Sequence, residues 1–392
     1  MDRSTRIRQA AQRYTDNNQL AGIEWRVQVS GETLSEGQVG LASPHTGTAI
    51  PDQAIYRIYS MTKPVVSVMA LIAIEQGLIS LFDPLARFNP EFANMQVLSP
   101  QGKLEPAARL ITVEDLLTHR SGFSYEFLNN CHIAAGYSSI KLSSDGACSL
   151  DEVMAKLASQ PLACQPGNEF KYSVSTDALA HILEKVTGKT LQDLLKEYIF
   201  EPLEMPDTGF SVAKAKAHRI MPMFGEQDFS KIMTPRPAAQ QELNHIEVDE
   251  MYPSNDPNFR RGGHGLFSTL DDYCQFAEML LTGASRHGEI IISRKTHEMM
   301  LRNRIPAEQL PIKIGSLPLA GYGWGLGVRL MLDTGQAMSL TGEGEFGWAG
   351  AASTNFWVDP IENMTGVILT QYLGSTLPLI DAMRTASYQM LK

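Results

Sequence analysis

The two ends of the chain repeat one pattern and the middle carries another, and this arrangement limits the fold more than any single motif. Near the start, GIEWRVQVSGETLSEGQVGLA (Gly22 to Ala42) alternates apolar and polar residues around Ser30-Gly31, which predicts a β-hairpin. The last third returns to such runs: YGWGLGVRLML, AMSLTGEGEFGWAGAASTNFWVDP and MTGVILTQYL are rich in β-branched and aromatic residues, with glycine at the bends. From about Asp83 to Gly263 the periodicity is helical, with TVEDLLTHRSG, SLDEVMAKLASQ and STDALAHILEKVTG as clear segments, and TLDDYCQFAEMLLTG follows. Thr112 with Asp115 three residues later marks a helix start, and Gly188 marks a stop. The expectation is an α/β fold in which one antiparallel sheet is built from both ends, residues 1–82 and 268–392, flanked by helices. A mostly helical domain, residues 83–267, is inserted between them, with the active site in the cleft.

A chain of 392 residues buries a substantial core without metal or disulfide staples. The net charge of −10 offers no basic face for phosphates, which excludes nucleic acid as the expected partner. No apolar run approaches the roughly 20 residues that cross a bilayer. The amino-terminal MDRSTRIRQAAQRYTDNN is charged and amphipathic, so it reads as a first helix rather than an export signal. That assigns the protein to the cytoplasm, with the periplasm applying only if a leader precedes the sequence given. Cys131, Cys148, Cys164 and Cys274 have no metal-ligand spacing and read as free thiols. Cys131 and Cys148 flank a polar segment that a bridge would close in an oxidising compartment. Neither a cofactor nor a metal is called for, and the oligomeric state is not legible.

Chemistry concentrates in YRIYSMTKPVVSVMALIAIEQG (Tyr56 to Gly77), where a strand-like run turns at Ser60 into an apolar helix with Lys63 three residues on. S-x-x-K occurs three times, at Ser60/Lys63, Ser138/Lys141 and Ser211/Lys214, but only the first has a strand-to-helix scaffold to fix the pair. Residues three apart on a helix share a face, so hydroxyl and ammonium are neighbours. The positive helix end and desolvation both disfavour protonated lysine, which frees it to take the serine proton. The alternative is a helix-capping Ser60 with Lys63 snorkelling to solvent.

Further segments in matching order resemble the serine β-lactamase and penicillin-binding-protein-like superfamily, in its class C β-lactamase-like branch. These are LLTHRSGF, PGNEFKYSVSTDALAHILEKVTG, IFEPLEMPDTGF and GGHGLFSTLDDYCQFAEMLL, and with the first motif they span roughly Tyr56 to Pro360. The resemblance implies Tyr172 as a proton shuttle beside Ser60 and Lys63; a nearby ammonium shifts a phenol toward phenolate. Tyr172 as a plain core aromatic is the alternative.

The third motif departs from that pattern. Where β-lactamases carry K-T-G, this chain aligns Trp348-Ala349-Gly350, which offers an indole and a methyl in place of an anion receiver. Similar triplets resemble those of family VIII carboxylesterases. That likeness implies an oxyanion hole from the Ser60 and Ala351 backbone N–H groups, with Gly350 letting the strand approach substrate closely. Val174 stands where a lactamase-like Y-x-N has asparagine, which removes a polar contact to a substrate amide. GEGEFG (Gly342 to Gly347) matches a dinucleotide pattern but precedes strand-like residues, so it reads as a hairpin turn. His119 and His264 read as hydrogen-bonded structural residues, with the alternative that His264 borders the pocket. Phe123, Tyr125, Phe127, Tyr322 and Trp324 read as core, with some lining the acyl site left open.

The resemblance implies a serine hydrolase that acts on small carboxylic esters through a covalent acyl-enzyme, with weak or no β-lactamase activity. The catalytic residues would be Ser60, Lys63 and Tyr172, and a small ester or amide the partner. A β-lactamase, a D-amino-acid peptidase, an acyltransferase and a catalytically silent binding protein are the alternatives.

Overall fold

The computed structural model of the chain describes residues 5–128, 130–234, 237 and 241–391. The amphipathic start forms helix α1 (Thr5–Asp16), which buries Ile7, Ala11 and Tyr14. The first four residues of the stretch read as this helix lie outside the described residues. Strands β1 (Gly22–Val29) and β2 (Glu32–Gly40) follow. They are joined by Ser30 and Gly31 at φ 54° and 79°, the left-handed pair that a two-residue hairpin with right-handed strand twist requires.

Helix α2 (Thr62–Glu75) is apolar on nearly every side, and each residue from Thr62 to Ala73 is buried. A helix without a polar face has no stable place except inside. Thr112 caps a short helix, Val113–Leu117, through a reciprocal capping box with Asp115. Helix α3 (Ser175–Thr187) stops at Gly188 in the left-handed region, and α4 (Leu270–Thr282) stops at Gly283 in the same way.

The strands of the last third are β3 (Tyr322–Trp324), β4 (Arg329–Met331), β5 (Phe346–Gly350), β6 (Thr354–Asp359) and β7 (Met364–Leu369), followed by helix α5 (Leu379–Tyr388). YGWGLGVRLML thus contains two strands. It folds back between Trp324 and Arg329, and Gly327 sits at φ 92° where a Cβ would lie 2.1 Å from the Ser67 hydroxyl. GEGEFG is a turn leading into β5, with Gly344 left-handed and the Glu345 N–H bonded to the Gly342 carbonyl at 3.1 Å.

The seven-stranded sheet runs β3-β4-β5-β6-β7-β1-β2 with every neighbour antiparallel. The amino-terminal hairpin completes it by pairing Glu24 with Leu369 through Val29 with Met364, so both chain ends share one sheet. On one face α1 and α5 close a core around Tyr14, Trp25, Trp357 and Met383. On the other, α4 packs against β6 and β7, and a larger core extends through α2 and α3. All four cysteines are free, so Cys131 and Cys148 are not bridged.

Candidate active site

Ser60 sits in a three-residue 3-10 turn, Tyr59–Met61, between a two-residue strand, Tyr56–Arg57, and α2. It therefore precedes the α-helix, and Lys63 occupies the helix's first turn. Tyr59 holds φ 44°, a left-handed conformation that costs a non-glycine residue on the order of 1–3 kcal/mol. Its ring is buried against Tyr252 at 5.0 Å, which holds the turn in place. Tyr59 and Met61 point inward while Ser60 faces a cavity.

Lys63 is fully buried and makes three contacts through Nζ: Gly263 O at 2.6 Å, Tyr125 OH at 2.8 Å and Ser60 Oγ at 3.2 Å. Burial pushes its pKa down to about 7, against the opposing pull of Asp177. A neutral amine has two N–H groups and one lone pair. The Gly263 carbonyl can only accept and the Tyr125 oxygen can accept, so the lone pair is left to face the Ser60 hydroxyl. Asp177 accepts from the Gly263 N–H at 3.1 Å, so the peptide that holds Lys63 is itself held from behind. A Cβ on Gly263 would lie 2.6 Å from the Asp177 carboxyl, so only glycine fits. Burial also raises Asp177, against the nearby charges of Lys63 and Arg261.

Tyr172 lies just before α3, with its ring 4.7 Å from Lys63 Nζ. Its hydroxyl bonds to Ser60 and accepts from Trp348 Nε1 at 3.1 Å. The expected shift toward phenolate is not what this environment produces. Burial raises the pKa of Tyr172 above its ordinary value, and the hydrogen bonds from Ser60 and Trp348 only moderate that rise, so the resting group is a neutral phenol. The physical reason is that the lysine meant to supply the charge is itself desolvated.

Trp348 is 6% exposed and stands edge-on to Trp324 at 4.5 Å. Its N–H holds the Tyr172 oxygen, so the indole positions a side chain as well as walling the cavity. Gly350 serves a different approach from the one expected. A Cβ there would lie 2.2 Å from Thr354 Oγ1 and 2.3 Å from the Ile58 carbonyl, so the glycine lets β5 press against the turn that carries Ser60. This close approach brings the Ser60 and Ala351 residues to the same cavity.

The cavity measures about 330 Å³, within the range for small-molecule sites, and Phe127, Ile232, Met233, Leu319 and Ile380 supply most of its apolar wall. Ser60, Tyr172, Trp348, Ala349, Gly350 and Ala351 all line it. His119 lies behind Tyr172, its ring 4.8 Å away and its Nδ1 near Ser173 Oγ at 3.3 Å; burial drives its pKa well down, so it is a neutral wedge. His264 does not line the cavity and packs against Tyr252 and Phe259. Ser138 and Ser211 are exposed with their lysines. Of the aromatic group, Phe127 lines the cavity and Tyr125 bonds Lys63. Tyr125, Asp177 and Gly263 were missed as site residues. Their only sequence signal was position inside RSGFSYEF, YSVSTD and RGGHG.

A serine beside a buried lysine at a cleft of this sheet-and-helix fold is the arrangement of a serine hydrolase of the β-lactamase type. Residues 7–389 match the family described as Beta-lactamase, and the chain belongs to that family. Protein Rv1367c of Mycobacterium tuberculosis is 30% identical over 367 residues, covering 91% of this chain and 87% of the relative. Esterase EstB of Burkholderia gladioli is 26% identical over 386 residues, covering 94% and 91%. Among solved structures, EstCE1, a hydrolase with promiscuous acyltransferase activity, matches with a TM-score of 0.82 and 21% identity over 98% of both chains. That last likeness speaks to the fold alone. No helix among the described residues is long and apolar enough to cross a membrane.

Proposed function

We propose that the protein is a carboxylesterase that cleaves small carboxylic esters through an acyl-enzyme on Ser60, with little β-lactamase activity. The observation that carries this reading is the buried Lys63, its pKa pushed down to about 7, with Nζ 3.2 Å from Ser60 Oγ at the edge of a largely apolar cavity. Lys63 takes the Ser60 proton as the oxygen attacks the ester carbonyl, and the Ser60 and Ala351 amides receive the oxyanion. Lys63 is now an ammonium 4.7 Å from the Tyr172 ring, which lowers the phenol's pKa when its proton is needed. Tyr172 gives that proton to the departing alkoxide, and the Trp348 N–H supports the phenolate. In the second half, water gives a proton to Tyr172 and attacks the acyl carbon, and Ser60 leaves with the proton held on Lys63. The ammonium and phenolate are both discharged, so each turnover closes.

Trp348 in place of an anion-receiving lysine, together with Val174, argues against efficient lactam cleavage. Esterase EstB is named for ester cleavage, which supports the same reading. The test is hydrolysis of a short p-nitrophenyl ester series beside a chromogenic cephalosporin, with wild type and Ser60→Ala. Ester turnover lost in the variant supports the assignment, and efficient cephalosporin cleavage refutes the exclusion of lactams. Acyl transfer is a second reading, favoured by the apolar cavity, where an alcohol replaces water in deacylation. An added acceptor alcohol that diverts product from acid to ester would establish it.

A further inference from the structure

Among the described residues lining the cavity, Arg329 is the one with a formal charge. The rest of the wall is apolar side chains and neutral hydroxyls, so a guanidinium there is the group best suited to receive an anion. It is held rigidly. Its carbon centre lies 4.1 Å from the centroid of the Tyr322 ring, and Nη2 donates to Glu345 Oε1 at 3.0 Å. Nε has no hydrogen-bond partner among the described residues.

Glu345 does not cancel this charge. It is fully buried and is shared with Arg384, whose Nη1 reaches Oε2 at 2.9 Å, while Tyr322 OH and Thr341 also donate to it. Glu345 is thus divided between two guanidiniums, and of this cluster Arg329 is the member that reaches the cavity. Asp381 meets Arg384 at 3.2 Å but is 52% exposed, so solvent screens its contribution. Arg384 alone supplies a buried partner for Glu345, so that carboxylate does not explain why a second arginine reaches the cavity.

We propose that Arg329 makes this cavity selective for esters that carry a carboxylate remote from the scissile bond, with the guanidinium receiving that carboxylate. The inference rests on the esterase reading above and names its substrate class. Arg329 pairs across the sheet with Gly347, which offers no side chain to block it, and Ala351 lies four residues further along. At about 3.3 Å per residue the three steps from Gly347 to Gly350, where β5 ends, cover about 10 Å, and Ala351 follows in the turn. Ile314, Leu319 and Ile380 contribute apolar surface to the same cavity. The matching ligand is an apolar spacer with an ester at one end and a carboxylate at the other, such as a half-ester of an α,ω-dicarboxylic acid.

The experiment compares kcat/KM for the p-nitrophenyl half-ester of suberic acid with that for its neutral methyl-capped isostere. A second matched pair carries the carboxylate on the alcohol portion. Both pairs are run on wild type, Arg329→Gln and Arg329→Lys. A charged pair of this kind predicts a preference of about tenfold for the carboxylate-bearing ester in at least one pair. The preference should reside in KM, collapse in Arg329→Gln, return in part in Arg329→Lys and weaken as salt is added. Equal preference in wild type and Arg329→Gln for both pairs overturns the proposal. If the variants do not fold, inhibition of wild type decides. Suberate should inhibit neutral-ester hydrolysis more strongly than octanoate, and equal inhibition overturns the proposal. Absence of neutral-ester turnover in wild type would instead refute the esterase reading, so the two failures are distinguishable.

Discussion

The pKa of Lys63 gives the sharpest test of the mechanism. Burial lowers it from 10.5 to about 7, which corresponds to about 5 kcal/mol of penalty on the ammonium. At pH 7 about half the molecules then hold a neutral base. An ordinary lysine would be neutral in roughly one molecule in 3,000, so burial raises the active fraction roughly a thousandfold. The acylation rate with a p-nitrophenyl ester, read from the pre-steady-state burst, should rise about tenfold per pH unit below 7 and level off above it. A rate that keeps climbing to pH 9 or beyond would refute the argument. The same shift has a thermodynamic face. Lys63 binds fewer protons folded than unfolded between about pH 7 and 10.5, so its penalty is full below 7 and disappears as pH rises through that window. Lys63→Met lacks this penalty. Relative to wild type, the variant should therefore gain about 4 kcal/mol more at pH 6 than at pH 10 in urea unfolding, while losing turnover. A gap between the two proteins that does not change with pH would place Lys63 in a wet environment and remove the base.

Other substitutions separate the site from its surroundings. Ser60→Ala should abolish ester turnover with unchanged circular dichroism, whereas Ser138→Ala and Ser211→Ala, at exposed positions, should retain near-normal rates. Gly350→Ala places a methyl 2.3 Å from the Ile58 carbonyl and pushes β5 off the nucleophile turn, so kcat should fall by roughly a hundredfold; unaltered kcat would mean that this contact does not set the geometry. Glu24 accepts from Tyr56 OH at 2.7 Å, and burial pushes its carboxyl up to about 7. A raised carboxyl holds extra protons in the folded state, so its contribution is full below about 4.5 and is lost as pH rises to 7, about 3 kcal/mol in all. Glu24→Gln should flatten that slope in chemical unfolding between pH 4.5 and 8, and an unaltered slope would refute the assignment to this residue.

What was legible in the sequence follows from how local each signal is. The Ser30-Gly31 hairpin, the Thr112 capping box and the Gly188 stop depend on neighbours within a few residues, and each lies where its local pattern put it. The shared sheet was legible because two-residue periodicity at both chain ends has to find partners somewhere. Where YGWGLGVRLML bends was not legible, because the close packing of Gly327 on Ser67, 260 residues earlier, leaves no local mark. The site divides in the same way. Ser60 and Lys63 are three residues apart across the 3-10 turn and the first turn of α2, so spacing alone paired them. Tyr125, Asp177 and Gly263 converge on Lys63 from three separate segments, and only the folded chain brings them together. The protonation of Tyr172 was misread because the argument counted a charge on Lys63 without asking whether burial left it there.

That misreading bears on what Trp348 does. In the K-T-G pattern a second ammonium would stand near Tyr172 and Lys63, and its charge would help to depress both pKa values. Here the corresponding side chain is an uncharged indole that donates one hydrogen bond to the Tyr172 oxygen. The pKa of Lys63 is therefore lowered by desolvation, with Asp177 opposing it. Dryness becomes the tuning device of the site. A change that admits water beside Lys63 should raise its pKa and move the acid limb of the rate profile upward, even where no residue touching substrate is altered. Lys63 is enclosed by Tyr125, Tyr172 and the Gly263 carbonyl, so a substitution that opens this enclosure is expected to move the pH range of turnover while the apolar wall of the cavity stays the same.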